Sequence, residues 1–599
     1  MNSKTLLFAL VVFGLILKFY LAHFTSLVFF NIGLLYDLLW LIGISGCILF
    51  IKNKHLKRVL VILVFGFFTI ITIVNHMYYE FFKTFVTRNN IQGFLFVSAS
   101  TISDEYAISI PIEAYLLIIL LIGLFVMLYR TRDYFIFNRM PLIVCLIALS
   151  ITFIPTIRMK LIDFSPTHNY FSSDAYLYHA FEDFPQISTR FGYFVYHTID
   201  LLGLSSSVYI HDLDDLSQQF FETHIVQEPN PYSNFFKDAN LIILTVESFD
   251  SRFIDPVLTP NLNRLKNEGY QFPNFYVPTY FQGATCNTEF MMLNSLYAIN
   301  SNPNINNVCT SYSDASYPYA LPNQLKNIGY QTYYFHSGYA QFYNRNQLMP
   351  NLGFDNVIFN DTNLELALNP RFDTDLAALI DKNMNYESPF YMQILTYAMH
   401  GAYNQDDYDV YQGLLSSVYP NLEKHSEVAV YYKKLIDFDV FLGMLLNQLK
   451  LNNVYDDTLI IIHSDHYPYM MHDKTFKTHL NIADEISIYQ QTLIMYHSKI
   501  EPKIFTEVFS TIDLAPTFLN LLYQDAHFDY FLGTDVFTPS FKSVLFHNHM
   551  LTDGTTTLKR TMQSSNIDFS DAQLKQFIAY ELTKAWLKTG YYWELLDSS

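Results

Sequence analysis

The sequence predicts a five-helix transmembrane domain followed by an outward-facing α/β domain built on a mostly parallel sheet. Two textures of sequence and one asymmetry of charge predict it. Apolar residues crowd the first quarter of the chain, buried-strand patterns alternate with helical ones from Asn240 onward, and Lys and Arg gather on one side of the apolar segments. Composition agrees: of 599 residues, 51% are hydrophobic and 15% charged, and mean hydropathy is +0.14. That is too apolar for an ordinary soluble enzyme and too charged for a pure membrane bundle.

Crossing a hydrocarbon core of about 30 Å takes about twenty helical residues at 1.5 Å each. Five stretches meet or approach that length: Leu6–Ala22, Leu27–Ile51, Val59–Val74, Ile112–Tyr129 and Leu142–Ile154, the last bracketed by Pro141 and Pro155. More spans follow the first, and no small-residue cleavage site ends it, so it does not read as a signal peptide. Lys52, Lys54, Lys57 and Arg58 lie between spans two and three, and Arg130, Arg132 and Arg139 between spans four and five. The longer loop between spans three and four holds only Lys83 and Arg88. Basic residues stay inside, so the N-terminus is expected inside and everything after about residue 157 outside. Lys18 and Asp37 fall within spans, where the expectation is a snorkelling lysine and an aspartate paired within the bundle.

Several classes are excluded. With 36 Lys+Arg against 55 Asp+Glu the net charge is −19, which would repel a nucleic acid unless a concentrated basic patch existed. None stands out beyond the membrane-flanking loops. The 54 Phe and 46 Tyr exclude disorder, and four cysteines are too few for a disulfide-stapled fold. The expected domains are a transmembrane domain over 1–157, an amphipathic, aromatic connector over 158–235, and an extracellular catalytic domain with a C-terminal extension over 236–599.

Within the connector, HDLDDLSQQFFETH reads as an amphipathic helix with an acidic first turn. LIILTVESF then reads as a buried parallel strand ending in a carboxylate, and TPNLNRLKNEGY as a short helix closed near Gly269. LPNQLKNIGYQTYYFH repeats helix, glycine stop and strand. SPFYMQILTYAMH, DTLIIIHSDH and QQTLIMYHS are further strands, and VAVYYKKLIDFDVFLGMLLNQLK is a helix between two of them. Strands alternating with helices give a largely parallel sheet, whose ligands bind at the strands' carboxyl ends.

Polar residues arrive together at those ends. Glu247 closes LIILTVE, and Asp465 with His466 closes LIIIHSDH. Thr285 lies in GATCNTEF, expected as a Gly-led loop before the helix-like EFMMLNSLYAI. Two carboxylates, an imidazole and a hydroxyl make a four-ligand set for one divalent cation. Its oxygens suit Mn²⁺ or Mg²⁺, and the histidine also admits Zn²⁺. Such a cation would lower the pKa of the Thr285 hydroxyl and make it a nucleophile.

This set resembles that of the alkaline phosphatase/sulfatase superfamily, and most closely the lipoteichoic acid synthase group of phosphoglycerol transferases. The motifs carrying the resemblance are TVESF, QGATCNTEF with NSLYA, FHSGYAQFYNRNQ, GFDNVIF, LTYAMHGAY, SDHYP, STIDLAPTFLNLL and VLFHN. It implies a sulfatase-like, alkaline phosphatase-type domain in which Glu247, Thr285, Asp465 and His466 hold a Mn²⁺-type ion and Thr285 is the nucleophile. By the same resemblance Arg345 contacts phosphate, Tyr343 takes the place of an aromatic lining the glycerol site, and His400 and His336 lie beside the reacting group. Where the family carries an aspartate against the headgroup, this chain has Gly338, which bears on headgroup or acceptor choice rather than on chemistry.

Cys286 beside Thr285 lacks the downstream Pro and Arg of a sulfatase motif. It is free to pair with Cys309 or to stay reduced, and spacing does not decide between them. His463 and His472 are candidates for a second metal site, with solvent exposure as the plainer reading. The resemblance implies a membrane-anchored transferase that moves glycerophosphate from phosphatidylglycerol in the bilayer to a glycerophosphate polymer or glycan acceptor, with no nucleic-acid partner. The alternatives are a phosphoethanolamine transferase of the same fold and a catalytically silent envelope scaffold.

Overall fold

The computed structural model describes residues 3–598, apart from 26–27, 83, 89–110, 131–138, 180–183, 205–209, 279–283, 300–306, 363–365, 367, 388, 405–407, 483, 485, 541, 547–549 and 559–569. Lys83, Arg132, Gln282, Gly283, Ser388, His547 and Asn548 of the motifs and loops above lie outside the described residues. The described residues form two compact units that divide between 210 and 211. The division falls inside the expected 158–235 connector: its earlier residues fold with the apolar helices and its later ones with the α/β domain.

Among the described residues of the first unit, five helices are long and apolar enough to cross a membrane: α1 (Ser3–Phe24), α2 (Ile32–Phe50), α3 (Lys54–Phe82), α4 (Ile112–Arg130) and α5 (Arg139–Lys160). The bounds differ most at three: α3 runs over Lys54–Phe82 against the expected Val59–Val74, and α2 and α5 differ for visible reasons. The second starts at Ile32 rather than Leu27, because Asn31 caps it by accepting a hydrogen bond from the Leu34 N–H. The fifth continues through Pro155 to Lys160. The proline removes one backbone donor, but continuing the helix pairs the remaining backbone groups, which matters most in an apolar solvent.

Two short helices, α6 (Phe184–Phe191) and α7 (Tyr193–Leu201), pack against α2. Asp37 explains their placement. It is fully buried and accepts hydrogen bonds from the backbone N–H of Tyr193 at 3.0 Å and of Phe194 at 2.8 Å. A carboxylate at a helix N-terminus meets both unpaired donors and the positive end of the dipole. Lys18 does not snorkel; its Nζ lies 2.5 Å from Asp37 Oδ2, and its side chain is buried. Gly192, at φ +92°, permits this approach, since a Cβ there would lie 2.8 Å from Asp37 Oδ1 and 3.1 Å from the Gly33 carbonyl.

The second unit opens with α8 (Leu213–Thr223), which carries Asp214 and Asp215 in its first turn. Its large sheet has nine strands among the described residues: β1 (Asn240–Val246), β2 (Tyr270–Tyr276), β3 (Gln331–His336), β4 (Asn356–Phe359), β5 (Phe390–Leu395), β6 (Thr458–Ser464), β7 (Gln490–Tyr496), β8 (Lys503–Ile504) and β9 (Phe509–Ser510). The order is β4-β3-β5-β1-β6-β7-β2-β8, with β9 also paired to β2. From β4 to β6 all pairs are parallel, while β7 runs antiparallel to both β6 and β2. Every residue of β1, β5 and β6 is buried, as strands covered on both faces require.

Four further helices support the sheet and the site at its edge: α9 (Pro260–Glu268), α10 (Ala284–Asn294), α11 (Asp373–Asn383) and α12 (Glu427–Leu451). The long α12 packs against α9 and α11. It shares an apolar core with Ile242, Leu244 and Val246 of β1 and Ile460 and Ile462 of β6. Register decides the site: Val246 pairs with Ser464 and His336 with Leu395. Residues just beyond β3, β5, β1 and β6, which are neighbours in that order, therefore emerge at one level on the carboxyl edge of the sheet.

Candidate active site

Glu247 follows β1, and Asp465 and His466 follow β6. The adjacent parallel strands bring them together, all three buried and with ligand atoms within 4.8 Å of one another. Thr285 joins them. Its hydroxyl donates to Glu247 Oε2 at 3.2 Å and lies 3.3 Å from His466 Nε2. Thr285 stands in the first turn of α10 rather than in the expected loop before it. The helix begins early because Thr288 Oγ1 donates to the Asp465 carbonyl at 2.6 Å and Cys286 is disulfide-bonded to Cys309, both of which hold that turn.

The donor set fits a cation. His466 Nδ1 lies 3.0 Å from the Tyr467 carbonyl, which can only accept, so Nδ1 carries the proton and the Nε2 lone pair faces the acids. Burial holds the His466 pKa below its usual value and keeps the ring neutral. Nε2 then lies 3.1 Å from Asp465 Oδ2 and 3.4 Å from Glu247 Oε1 with no proton of its own to share. Asp465 Oδ1 accepts from the N–H groups of Ser248 and His466, each at 2.7 Å, whereas the buried Oδ2 has no hydrogen-bond partner. Burial and the Glu247 charge push the Asp465 carboxyl well above the carboxylate range. Burial acts to raise Glu247, yet it stays below its ordinary value, held down by the proximity of His466 and His400 together with hydrogen bonds from Ser248 and Asp465. Converging lone pairs, one of them orphaned, are the environment that a divalent cation neutralises. Ser248, at φ +50°, holds the turn between the ligands.

The remaining expected residues occupy the neighbouring strand ends. His336 closes β3; its Nδ1 donates to the Leu395 carbonyl at 3.1 Å, and burial with the nearby Arg345 charge takes its pKa down to about 3. It is a neutral ring whose Nε2 accepts. Gly338 is tied to this ring, since a Cβ at 338 would stand 2.3 Å from His336 Nε2. The imidazole fills the space a side chain at 338 would need. Arg345 is buried, paired with Glu289 at 2.8 Å, and its guanidinium carbon lies 5.2 Å from the centre of the Tyr343 ring. Tyr343 and Asn344 both have positive φ, at 58° and 54°.

His400 follows β5. Its Nδ1 lies 2.8 Å from the Gly401 carbonyl, which leaves Nε2 for exchange, and its ring stacks on Tyr397. Its loop is gripped from behind by residues that sequence reasoning missed. Asp373 accepts from the N–H groups of Tyr397 and Ala398 at 2.9 and 3.0 Å, and Lys434 donates to the His400 carbonyl at 2.5 Å. Thr396 Oγ1 accepts from the Glu247 N–H at 3.0 Å and ties the loop to the cation ligands. The candidate second metal site does not form, and the plainer reading, solvent exposure, holds for His472 but not for His463. His463 is buried on β6 against Thr245 Oγ1 at 2.9 Å, while His472 is exposed and pairs with Glu427 at 2.7 Å.

Asp373 supports one prediction. Burial, then the Asp437 charge, pushes its carboxyl up to about 7, and its Oδ2 lacks a hydrogen-bond partner. A folded pKa above the unfolded value of about 3.9 gives a contribution that is full below that pH and is lost as pH rises through 7. The change is on the order of 4 kcal/mol. Asp373→Asn keeps the acceptor for both N–H groups and never ionises. At pH 8 it is expected to raise unfolding stability by about 1–3 kcal/mol and to flatten the decline between pH 5 and 8, read by calorimetry. A variant less stable than the parent at pH 8 would refute this.

The sequence profile of the sulfatase family matches residues 239–524. The chain is similar to the lipoteichoic acid synthase of Staphylococcus aureus, with 26% identity over 581 residues, 90% of this chain and 85% of that one. Among solved structures it is similar to the lipoteichoic acid synthase LtaP from Listeria monocytogenes, with 20% identity, TM-score 0.49, and coverage of 64% of this chain and 98% of that one. It is also similar to the phosphoglycerol transferase GacH of Streptococcus pyogenes in complex with sn-glycerol-1-phosphate, with 16% identity, TM-score 0.39, and coverage of 65% and 94%.

Proposed function

We propose that this chain, which matches the sulfatase family profile and is similar to lipoteichoic acid synthase, is a phosphotransferase that moves glycerophosphate from phosphatidylglycerol to an acceptor hydroxyl on a glycerophosphate polymer or envelope glycan. The observation that carries this reading is the convergence of the Thr285 hydroxyl with two buried carboxylates and an imidazole lone pair. A divalent cation held by Glu247, Thr285, Asp465 and His466 would, when bound, lower the hydroxyl pKa and offset charge on a phosphoryl oxygen. Manganese suits the three oxygens and one nitrogen, with magnesium and zinc as alternatives.

Thr285 Oγ1 gives its proton to solvent, attacks phosphorus and forms a glycerophospho-Thr285 ester. The bond from phosphorus to the diacylglycerol oxygen breaks, and that oxygen takes a proton from Nε2 of the His400 imidazolium. In the second half the acceptor hydroxyl returns a proton to His400 as it attacks phosphorus, the bond from phosphorus to Thr285 Oγ1 breaks, and Thr285 regains a proton from solvent. Arg345 binds the non-reacting phosphate oxygens, Tyr343 lines the glycerol end, and the neutral His336 Nε2 accepts from a headgroup hydroxyl. The five spans tether the domain to the membrane that holds its lipid donor, with the catalytic domain on the outer side.

Incubation with phosphatidylglycerol followed by intact-mass and peptide analysis is expected to show one glycerophosphate adduct on Thr285. An adduct from phosphatidylethanolamine instead would favour the phosphoethanolamine reading. The absence of any adduct, of diacylglycerol release, and of a stoichiometric divalent ion would favour the silent scaffold.

A further inference from the structure

Thr285 and Glu289 are four residues apart on α10, so they lie one above the other on the same helix face. Glu289 is buried, and none of the chemistry above uses it. Its Oε2 accepts from Arg345 Nε at 3.1 Å and Nη2 at 2.8 Å, and its Oε1 accepts from the Tyr334 hydroxyl at 2.7 Å. Both carboxylate oxygens are therefore committed, and the carboxylate is not free to rotate. The guanidinium has five N–H groups in a fixed plane. Two are taken by Glu289, and Tyr343 lies over the group at 5.2 Å. Three N–H groups lie outside that ion pair, in a plane whose orientation Glu289 sets.

The same helix is anchored at its other contacts. Thr288 Oγ1 bonds the carbonyl of Asp465, and Cys286 is bridged to Cys309. One turn of α10 thus carries the attacking hydroxyl, a link to the cation ligands, and the carboxylate that orients the phosphate-binding arginine. We propose that Glu289 is a positioning residue, which aims Arg345 so that a phosphate bound by the guanidinium N–H groups outside the ion pair is held in reach of Thr285 Oγ1. This inference rests on the transfer reading above. Orientation acts where the geometry of the reacting atoms counts, so its loss falls on turnover more than on ground-state attraction to an anion, which the retained Arg345 charge still provides.

The test uses full-length protein in detergent with Mn²⁺, assayed on phosphatidylglycerol and on a chromogenic phosphodiester. Glu289→Gln is expected to lower kcat about thirtyfold on both substrates, with KM changed less than about threefold. In an Arg345→Lys background the same change should cost less than about threefold more, because the residue it orients is already altered. Glu289→Gln with wild-type kcat on both substrates, or losses that simply multiply in the double variant, would overturn the inference. If Glu289→Gln does not accumulate as folded protein, Tyr334→Phe frees Glu289 Oε1 alone and should lower kcat about two- to fivefold; an unchanged kcat overturns the proposal equally. Wild-type protein that turns over the chromogenic diester but not phosphatidylglycerol would remove the donor reading, while Glu289 is still judged on the diester.

Discussion

Thr285→Ala is expected to reduce diacylglycerol release from labelled phosphatidylglycerol by on the order of a thousandfold or more and to abolish the covalent adduct. The size follows from what is removed. The alternative attack, by a water molecule, lacks a nucleophile held on the first turn of a helix that is pinned to the Asp465 carbonyl and bridged to Cys309. The fold itself should barely respond. Thr285 is only half-buried, and its hydroxyl makes two long contacts, at 3.2 and 3.3 Å, so the stability change is expected within about 1 kcal/mol. Thr285→Ser keeps the hydroxyl and should retain measurable release and the adduct. Release at the parent rate from Thr285→Ala would mean that another group attacks phosphorus, and the covalent reading would fail.

Much of this site was legible in the sequence because parallel strands leave a strong local signal. LIILTVE and DTLIIIHSDH carry the continuous apolar runs LIIL and LIII, as a strand covered on both faces does, and each run is followed by a carboxylate that the strand delivers to the edge. The pairing of Val246 with Ser464 then brings Glu247 and Asp465 together. The antiparallel entry of β7 was not legible, because QQTLIMY reads alike in either direction. Nor was the continuation of α5 through Pro155: proline is a stop signal in water, where the freed carbonyl finds a solvent partner, and a weaker one in an apolar medium.

What the sequence concealed are the residues that act through others. Asp373 of α11 and Lys434 of α12 hold the His400 loop from behind, Thr396 within it ties it to Glu247, and nothing in their local sequence announces a carbonyl or N–H partner far along the chain. The start of α10 was misplaced by one turn for a similar reason: GATCNT has weak helix propensity, and tertiary bonds decide where the helix begins. Glu289 was the exception, since its spacing of four from Thr285 was visible once that segment was known to be helical. Lys18 illustrates the converse, for a lysine near a span suggests snorkelling, while its buried partner Asp37 is needed at the N-terminus of α7 and draws it inward.

Chelation and Asp465→Asn are expected to produce the second large effect, and the pH dependence identifies its origin. Burial and Glu247 raise the Asp465 pKa, so without a cation the folded site holds a proton that the unfolded chain, at about 3.9, has released. The cation-free domain is therefore most stable below that value and loses stability as pH rises through the elevated folded pKa. A bound cation favours the carboxylate and competes with the proton, so it should stabilise strongly at pH 8 and little at pH 5. For full-length protein in detergent at a hundredfold excess of Mn²⁺ over its dissociation constant, calorimetry is expected to show about 2.7 kcal/mol of added stability at pH 8. Asp373 titrates in the same direction, but chiefly through burial and the Asp437 charge, so the difference between Mn²⁺ and EDTA curves reports mainly on the cation site. Asp465→Asn retains the acceptor for the Ser248 and His466 N–H groups and should fold. It should bind Mn²⁺ about a hundredfold more weakly or worse and lose on the order of a thousandfold in transfer rate. Its EDTA melting curve should decline less between pH 5 and 8 than the parent's. An Asp465→Asn protein with parental Mn²⁺ stabilisation at pH 8 would show that the orphaned Oδ2 faces no cation, and the metal-assisted reading of Thr285 would fall with it.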